Sequence, residues 1–295
     1  MITDLFGKKR YKVNLHMHTT LSDGRKTPEE AIAQYRAAGY DALALTDHWH
    51  YGTKRYSDSG VLILPGAEYN IGGRYDPAGV FHILGIGAER APSVTQSMSA
   101  QQIIDGIHRA GGMAVLAHPA WSLNTPEQIL SLAGVDAIEV YNSVSGVHHS
   151  RRPDASLLVD LLGASHRYYP LLATDDTHYY DNDACVAFCM VQAEELSVNA
   201  LTDAVRKGNF YASEGPEVHL LRDGDGYTVR CSPCREILFL SNSVFSHRVF
   251  TGEGLTEVHY VPQEEEFYLR AEVTDAEGRK AWTNILLPEQ TEKGV

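Results

Sequence analysis

The chain has 295 residues, 43% of them hydrophobic and 21% charged, the balance of a globular protein with a substantial core. Its formal net charge of −13 argues against a broad electrostatic footprint for nucleic acid or anionic membrane, so a small-molecule partner is expected rather than a polymer. No run of about 18 apolar residues is available to span a membrane, and the N-terminus lacks the apolar segment of a signal peptide. A cytoplasmic protein is therefore expected, and four cysteines are too few for a disulfide scaffold.

Residues 11–16 read as a strand. Thr27-Pro28-Glu29-Glu30 then opens a helix, with Thr27 as N-cap, Pro28 at the first helical position and Glu30 completing a capping box. Gly39 ends it. Buried strands are predicted at 42–46, 61–65, 80–87, 113–117, 137–141, 170–174 and 184–191, with helical patterns between them at 100–110, 126–132, 154–162 and 198–207. About seven or eight strand–helix units of this length predict a parallel β/α barrel. After Gly215-Pro216 only short alternating segments remain, at 227–231, 237–241, 244–250, 257–261, 267–273 and 281–287. Turns such as Asp223-Gly224-Asp225-Gly226 separate them, and they predict a small all-β domain of the sandwich kind. The division falls between residues 1–215 and 216–295. Cys185 and Cys189 lie in an apolar run and are expected as buried thiols. Cys231 and Cys234 form a CxxC, which leaves a four-cysteine zinc site as the lesser alternative.

The potential ligands fall at strand ends. His16 and His18 close the first strand two residues apart, a spacing that puts both imidazoles on one side of extended backbone. Asp23 follows in the next loop, Thr46-Asp47-His48 ends the second strand, and Glu68 follows the third. His118 ends the strand at 113–117, and Asp176-Thr177-His178 ends the strand at 170–174. These positions share the C-terminal rim of a barrel, where such folds place their chemistry. His82 is the exception, at the start of its strand, and its side chain has to point inward. Each signal alone is weak, but six of the 14 histidines and three carboxylates agree on one rim. Imidazole with carboxylate and no thiolate suits Zn²⁺, Mn²⁺ or Fe²⁺. Their number exceeds the needs of one ion and predicts a cluster of two or three, bridged by a carboxylate and a hydroxide, which is hydrolytic machinery.

These motifs resemble the PHP (polymerase and histidinol phosphatase) family. The blocks that carry the likeness are Leu15-His16-Met17-His18-Thr19, Leu45-Thr46-Asp47-His48, Gly66-Ala67-Glu68, Phe81-His82-Ile83-Leu84-Gly85, Ala117-His118-Pro119 and Thr174-Asp175-Asp176-Thr177-His178. The resemblance covers about residues 11–215 and implies a distorted seven-stranded β/α barrel, a (β/α)7, with a site for up to three metals. It implies that His16, His18 and Asp176 hold the first ion and that Glu68 bridges. His82 and His118 complete the second, and Asp23, His48 and His178 hold the third. Farther on, residues 208–216, Cys231-Ser232-Pro233 and Ala281-Trp282-Thr283-Asn284 resemble the two-domain branch of the family, which includes a carbamate hydrolase.

The expected function is a metal-dependent phosphoesterase acting on a small phosphate ester, a nucleotide or another phosphomonoester or diester, by attack of a metal-bridging hydroxide. Hydrolysis of a carbamate or other carbonyl ester on the same cluster is the alternative. A metal-loaded binding or regulatory module is a second, from a different class. Besides Glu68, Asp175 and His50 are candidates for proton transfer, although orienting a ligand is the better expectation for Asp175. Lys54, Arg55, Arg151 and Arg152 lie in loops after barrel strands and are candidates to grip substrate phosphate. His148 and His149 read as surface residues.

Overall fold

The computed structural model describes residues 1–54, 56, 59–73, 79–245 and 248–287, which places Arg55 outside the described residues. A short β1 (Ile2–Thr3) precedes β2 (Lys9–Asn14), α1 (Pro28–Ala37), β3 (Ala42–Ala44), β4 (Leu62–Leu64), β5 (Gly66–Ile71) and β6 (Phe81–Ile86). There follow α2 (Ala100–Arg109), β7 (Met113–Leu116), α3 (Pro119–Ser122), α4 (Pro126–Leu130), β8 (Ala137–Asn142), a π-helical turn at Ser145–His149, α5 (Ser156–Ala164) and β9 (Leu171–Thr174). The chain continues through β10 (Phe188–Val191), α6 (Val198–Arg206), β11 (Phe210–Ser213), β12 (Val218–Asp223), β13 (Gly226–Leu240), β14 (Val249–Tyr260), β15 (Arg270–Thr274) and β16 (Lys280–Thr283). The capping box of α1 is present as expected: the Glu30 N–H donates to Thr27 Oγ1 at 3.3 Å and the Thr27 N–H to the Glu30 carboxylate at 2.9 Å.

The strands form two sheets. One runs β12-β13-β15-β16-β11-β10-β2-β3-β4, with β1 added to β2 and β14 to β13; the other runs β5-β6-β7-β8-β9. Isolated bridges link them on both sides, His48 with Glu68 and Met17 with Thr177. The pairing is not all parallel. β6 runs antiparallel to both β5 and β7, so its first residues lie at the rim where its neighbours end. That explains His82: starting a reversed strand is equivalent to ending a forward one. Glu68 lies within β5 rather than after a strand, because Gly66–Ile71 pairs residue for residue with β6.

Period-two alternation sorts the side chains. Val13, Leu15, Leu84, Ile86, Val115, Ala137 and Leu172 fill the space between the two sheets, whereas Ile83, Leu116, Ile138 and Ala173 turn outward onto Ile103, Ile107 and Val159 of α2 and α5. Sheets covered on both faces need near-continuous apolar runs, which is what these strands supply.

The C-terminal strands have a core of their own around Val229, Ile237, Phe239, Leu269, Ala271 and Val273. They also continue the first sheet: β16 pairs with β11 through Tyr211–Thr283, Ala212–Trp282 and Ser213–Ala281, which joins them edge to edge with β2–β4. The segments predicted separately at 227–231 and 237–241 are one strand. Pro233 interrupts the pattern because it sits at a register shift between Arg230 and Cys234, where a bulge leaves no ladder bond for a proline to miss. The four cysteines are free thiols, and among the described residues no group of metal-ligating side chains contains one. No helix among the described residues is long and apolar enough to cross a membrane.

Candidate metal centre

The backbone around His16 and His18 is held from both sides. Met17 exchanges hydrogen bonds with Thr46, its N–H reaching Oγ1 at 3.0 Å and its carbonyl accepting from Thr46 N at 3.0 Å. On the other side the His18 N–H donates to Thr177 O at 3.0 Å, and the Asp176 N–H to His16 O at 2.9 Å. These contacts bring the ends of β2, β3 and β9 to one point.

All nine ligand candidates meet there, in three groups: His16, His18, Glu68 and Asp176; Glu68, His82 and His118; and His18, Asp23, His48 and His178. Glu68 faces two of them with different oxygens. Its Oε2 lies 3.3 Å from His16 Nε2 and 3.0 Å from His18 Nε2, and its Oε1 lies 2.7 Å from His82 Nδ1 and 3.1 Å from His118 Nε2. Asp176 Oδ1 sits 3.1 Å from both His16 Nε2 and His18 Nε2. Asp23 closes the third group, 3.4 Å from His18 Nδ1, 3.7 Å from His48 Nε2 and 3.5 Å from His178 Nε2. His18 thus turns one ring nitrogen to the first group and the other to the third.

The donor set fits divalent cations. Asp176 Oδ1 and His48 Nδ1 are buried and make no hydrogen bond, a costly arrangement unless another partner takes them. Nitrogen and oxygen donors without sulfur suit Zn²⁺, Mn²⁺ or Fe²⁺. Without cations the electrostatics are those of a crowded ion cluster. Burial disfavours a charged His16, but the carboxylates of Asp176, Glu139 and Glu68 outweigh it and hold the ring at about 10. His18 and His118 are also raised against burial by neighbouring carboxylates. Glu68 and Asp176 are depressed in turn, since the surrounding imidazoles outweigh burial. Two of the nine carry a left-handed backbone, His118 at φ 27° and Asp176 at φ 50°, a strain that persists where the surroundings over-determine the geometry.

Behind the ligands stands Glu139, absent from the sequence candidates. His16 Nδ1 lies 2.8 Å from its Oε1, and Thr174 Oγ1 donates to the same oxygen at 2.7 Å. The His118 N–H and Asn142 Nδ2 donate to Oε2 at 2.7 and 2.9 Å. Such a carboxylate fixes the tautomer and tilt of a ligating imidazole. Asp175, expected in that role, points the other way. It accepts from the Tyr35 hydroxyl and the N–H groups of Cys185, Val186 and Ala187, and burial, only partly offset by these bonds, raises it to about 7.

A cavity of about 340 Å³ opens over the ligands, and the side chains on its wall that belong to none of the three groups are Trp121, His149 and Tyr179. His149, expected at the surface, is carried to this wall by the π-helical turn. His50 and Lys54 instead line a separate cavity of about 510 Å³ with Asp47 and Tyr56, and Lys54 pairs with Glu29 at 2.8 Å. Arg151 and Arg152 are exposed and absent from the wall over the ligands.

Among solved structures the chain is similar to a two-domain protein from Bacteroides vulgatus containing a predicted PHP-like metal-dependent phosphoesterase, at 15% identity and TM-score 0.57 over 97% of this chain and 98% of that one. Weaker likenesses are to an inferred metal-dependent phosphoesterase from Bifidobacterium adolescentis (18% identity, TM-score 0.45, 66% of this chain and 94% of that one). Another is to an amidohydrolase from Chromobacterium violaceum (21% identity, TM-score 0.42, 58% and 89%). At these identities the likeness concerns the fold alone. No curated protein matches. The PHP domain family matches residues 14–147, a span that holds seven of the nine ligand candidates and Glu139. The likeness to the PHP domain thus covers the N-terminal part of the chain.

Proposed function

We propose that the chain is a metal-dependent phosphoesterase acting on a small phosphate ester, a nucleotide or another phosphomonoester or diester, with two or three divalent ions. His16, His18 and Asp176 hold one ion, His82 and His118 a second, and Asp23, His48 and His178 a third, with Glu68 shared between the first two. The observation that carries this reading is the split of Glu68, whose Oε2 meets His16 and His18 while its Oε1 meets His82 and His118. A divalent cluster supplies activated water and offsets charge developing on phosphoryl oxygens. The protein's part is orientation: Glu139 sets His16, Asp176 O sets His178 through its Nδ1 at 2.7 Å, and the cavity wall admits one small ester at a time. Asp175 anchors the loop at residues 185–187 and so fixes the neighbouring Asp176.

The same proposal takes β2-β3-β5-β6-β7-β8-β9, linked by the His48–Glu68 and Met17–Thr177 bridges, as the distorted seven-stranded barrel. It takes residues 216–295 as an accessory β domain and a cytoplasmic setting. Hydrolysis of p-nitrophenyl phosphate and of nucleoside monophosphates with added Mn²⁺ or Zn²⁺ tests it. Turnover no greater than that of a His16→Ala, Glu68→Ala double variant contradicts it, and turnover of an aryl carbamate in its place points to carbonyl chemistry on the same residues.

A further inference from the structure

The walls of the metal cavity are unlike its floor. Trp121, on the four-residue α3, stands edge-on to two of the ligand imidazoles, with ring centroids 4.9 Å from His118 and 5.5 Å from His82. Tyr179 follows the ligand His178 on the far side, its ring 4.1 Å from His148 and under the Arg25 guanidinium at 4.5 Å. His149 spans the gap, 5.8 Å from Trp121 and 6.3 Å from Tyr179. Three flat rings therefore make an arc above the ligands. None of the three uses its side-chain polar atoms in a hydrogen bond with another described residue, so Trp121 Nε1, the His149 ring nitrogens and the Tyr179 hydroxyl are free to meet a ligand. Among the described residues no lysine or arginine lines this cavity.

We infer that the cavity takes esters whose alcohol portion is a flat aromatic ring, stacked against Trp121 with His149 and Tyr179 at its edges, while the anionic group faces the ligand cluster. This deepens the phosphoesterase reading and rests on it for the orientation of the ester. The chemistry follows from what the wall offers. An aliphatic or polyanionic alcohol portion finds no cation and few aliphatic side chains there, whereas an aromatic one finds ring faces and edges at stacking distance. The cavity volume of about 340 Å³ suits one ring and one anionic group.

Isothermal titration calorimetry of the Mn²⁺-loaded full chain with phenylphosphonate and with cyclohexylphosphonate, each corrected for its fraction of dianion, compares a flat ring with a puckered one of similar size on the same anionic group. Phenylphosphonate is expected to bind about five- to ten-fold tighter. The preference is expected to fall to about two-fold or less in Trp121→Leu, which keeps apolar bulk without a flat face, and to survive largely in Trp121→Phe. Equal affinity, binding of neither compound, or a preference that persists in Trp121→Leu overturns the inference. Turnover of benzyl phosphate against cyclohexylmethyl phosphate, whose leaving groups are both alkyl alcohols, separates this inference from the parent reading. Hydrolysis of neither ester with the phenyl preference intact removes the phosphoesterase and keeps the aromatic subsite. Hydrolysis of both at equal kcat/KM, with equal phosphonate affinity, does the reverse.

Discussion

Glu139 occupies an inward position of β8, where its neighbours along the chain are the buried Ala137, Ile138 and Val140. A buried carboxylate there is costly unless both oxygens are used, and here four donors use them. Glu139→Gln keeps the shape but replaces one acceptor oxygen with an amide donor, so the two donors on that oxygen lose their acceptor and the hold on the His16 and His118 segments is weakened. Metal affinity is expected to fall about 10- to 100-fold, measured by competition with a chromogenic chelator, with Glu139→Asp recovering part of it. Wild-type affinity in Glu139→Gln contradicts this role. The nine ligand candidates that cluster here stood out in the sequence because each belongs to a short motif at or near a strand end. Glu139 was not, since it hides in an apolar run, although a lone carboxylate at an inward position of a buried strand is itself a signal. Trp121 and His149 left no pattern because α3 and the π-helical turn, of four and five residues, are too short to show periodicity.

Among the elements, α1 was legible in detail, since a capping box is local chemistry. Thr27→Ala is expected to cost about 1 kcal/mol, read by urea denaturation, and an unchanged midpoint contradicts the cap. The direction of β6 was not legible: an apolar strand reads the same whether it runs parallel or antiparallel, and only its pairing decides. The continuity of the C-terminal strands with β11 was equally hidden, because edge-to-edge pairing leaves no mark on the pattern of either strand. Its energetic consequence centres on Trp282 of β16, fully buried and 5.3 Å from the Tyr141 ring. Trp282→Ala is expected to cost about 3–5 kcal/mol. Trp282→Phe is expected to cost far less, since the indole Nε1 it removes has no hydrogen-bond partner. Equal losses in the two variants contradict this packing account.

For the whole molecule, one sheet joins β12 to β4, so tryptophan fluorescence and far-UV circular dichroism are expected to report a single coincident unfolding transition. Two separated transitions contradict it. The pH dependence of stability follows from the ligand cluster. In the metal-stripped chain His16 is held at about 10, above its ordinary 6.5, so its contribution is complete below pH 6.5 and is lost as pH rises toward 10. Glu68 is depressed below its ordinary 4.5, so its contribution is present above that value and is lost as pH falls. The stripped chain is thus expected to be most heat-resistant between about pH 4.5 and 6.5. Reloading with Mn²⁺ is expected to extend that stability past about pH 8, because cations replace the protons. A stripped chain most stable at about pH 9 contradicts this.

The central claim is that one shared cluster of nine side chains holds several ions and that hydrolysis depends on them. Stepwise addition of Mn²⁺ to the stripped chain, with phosphate release from p-nitrophenyl phosphate followed at each step, tests it most directly. Activity is expected to be absent at first and to plateau at two to three equivalents, one for each ligand group occupied. Turnover undiminished after stripping, or a plateau at a single equivalent, would contradict it.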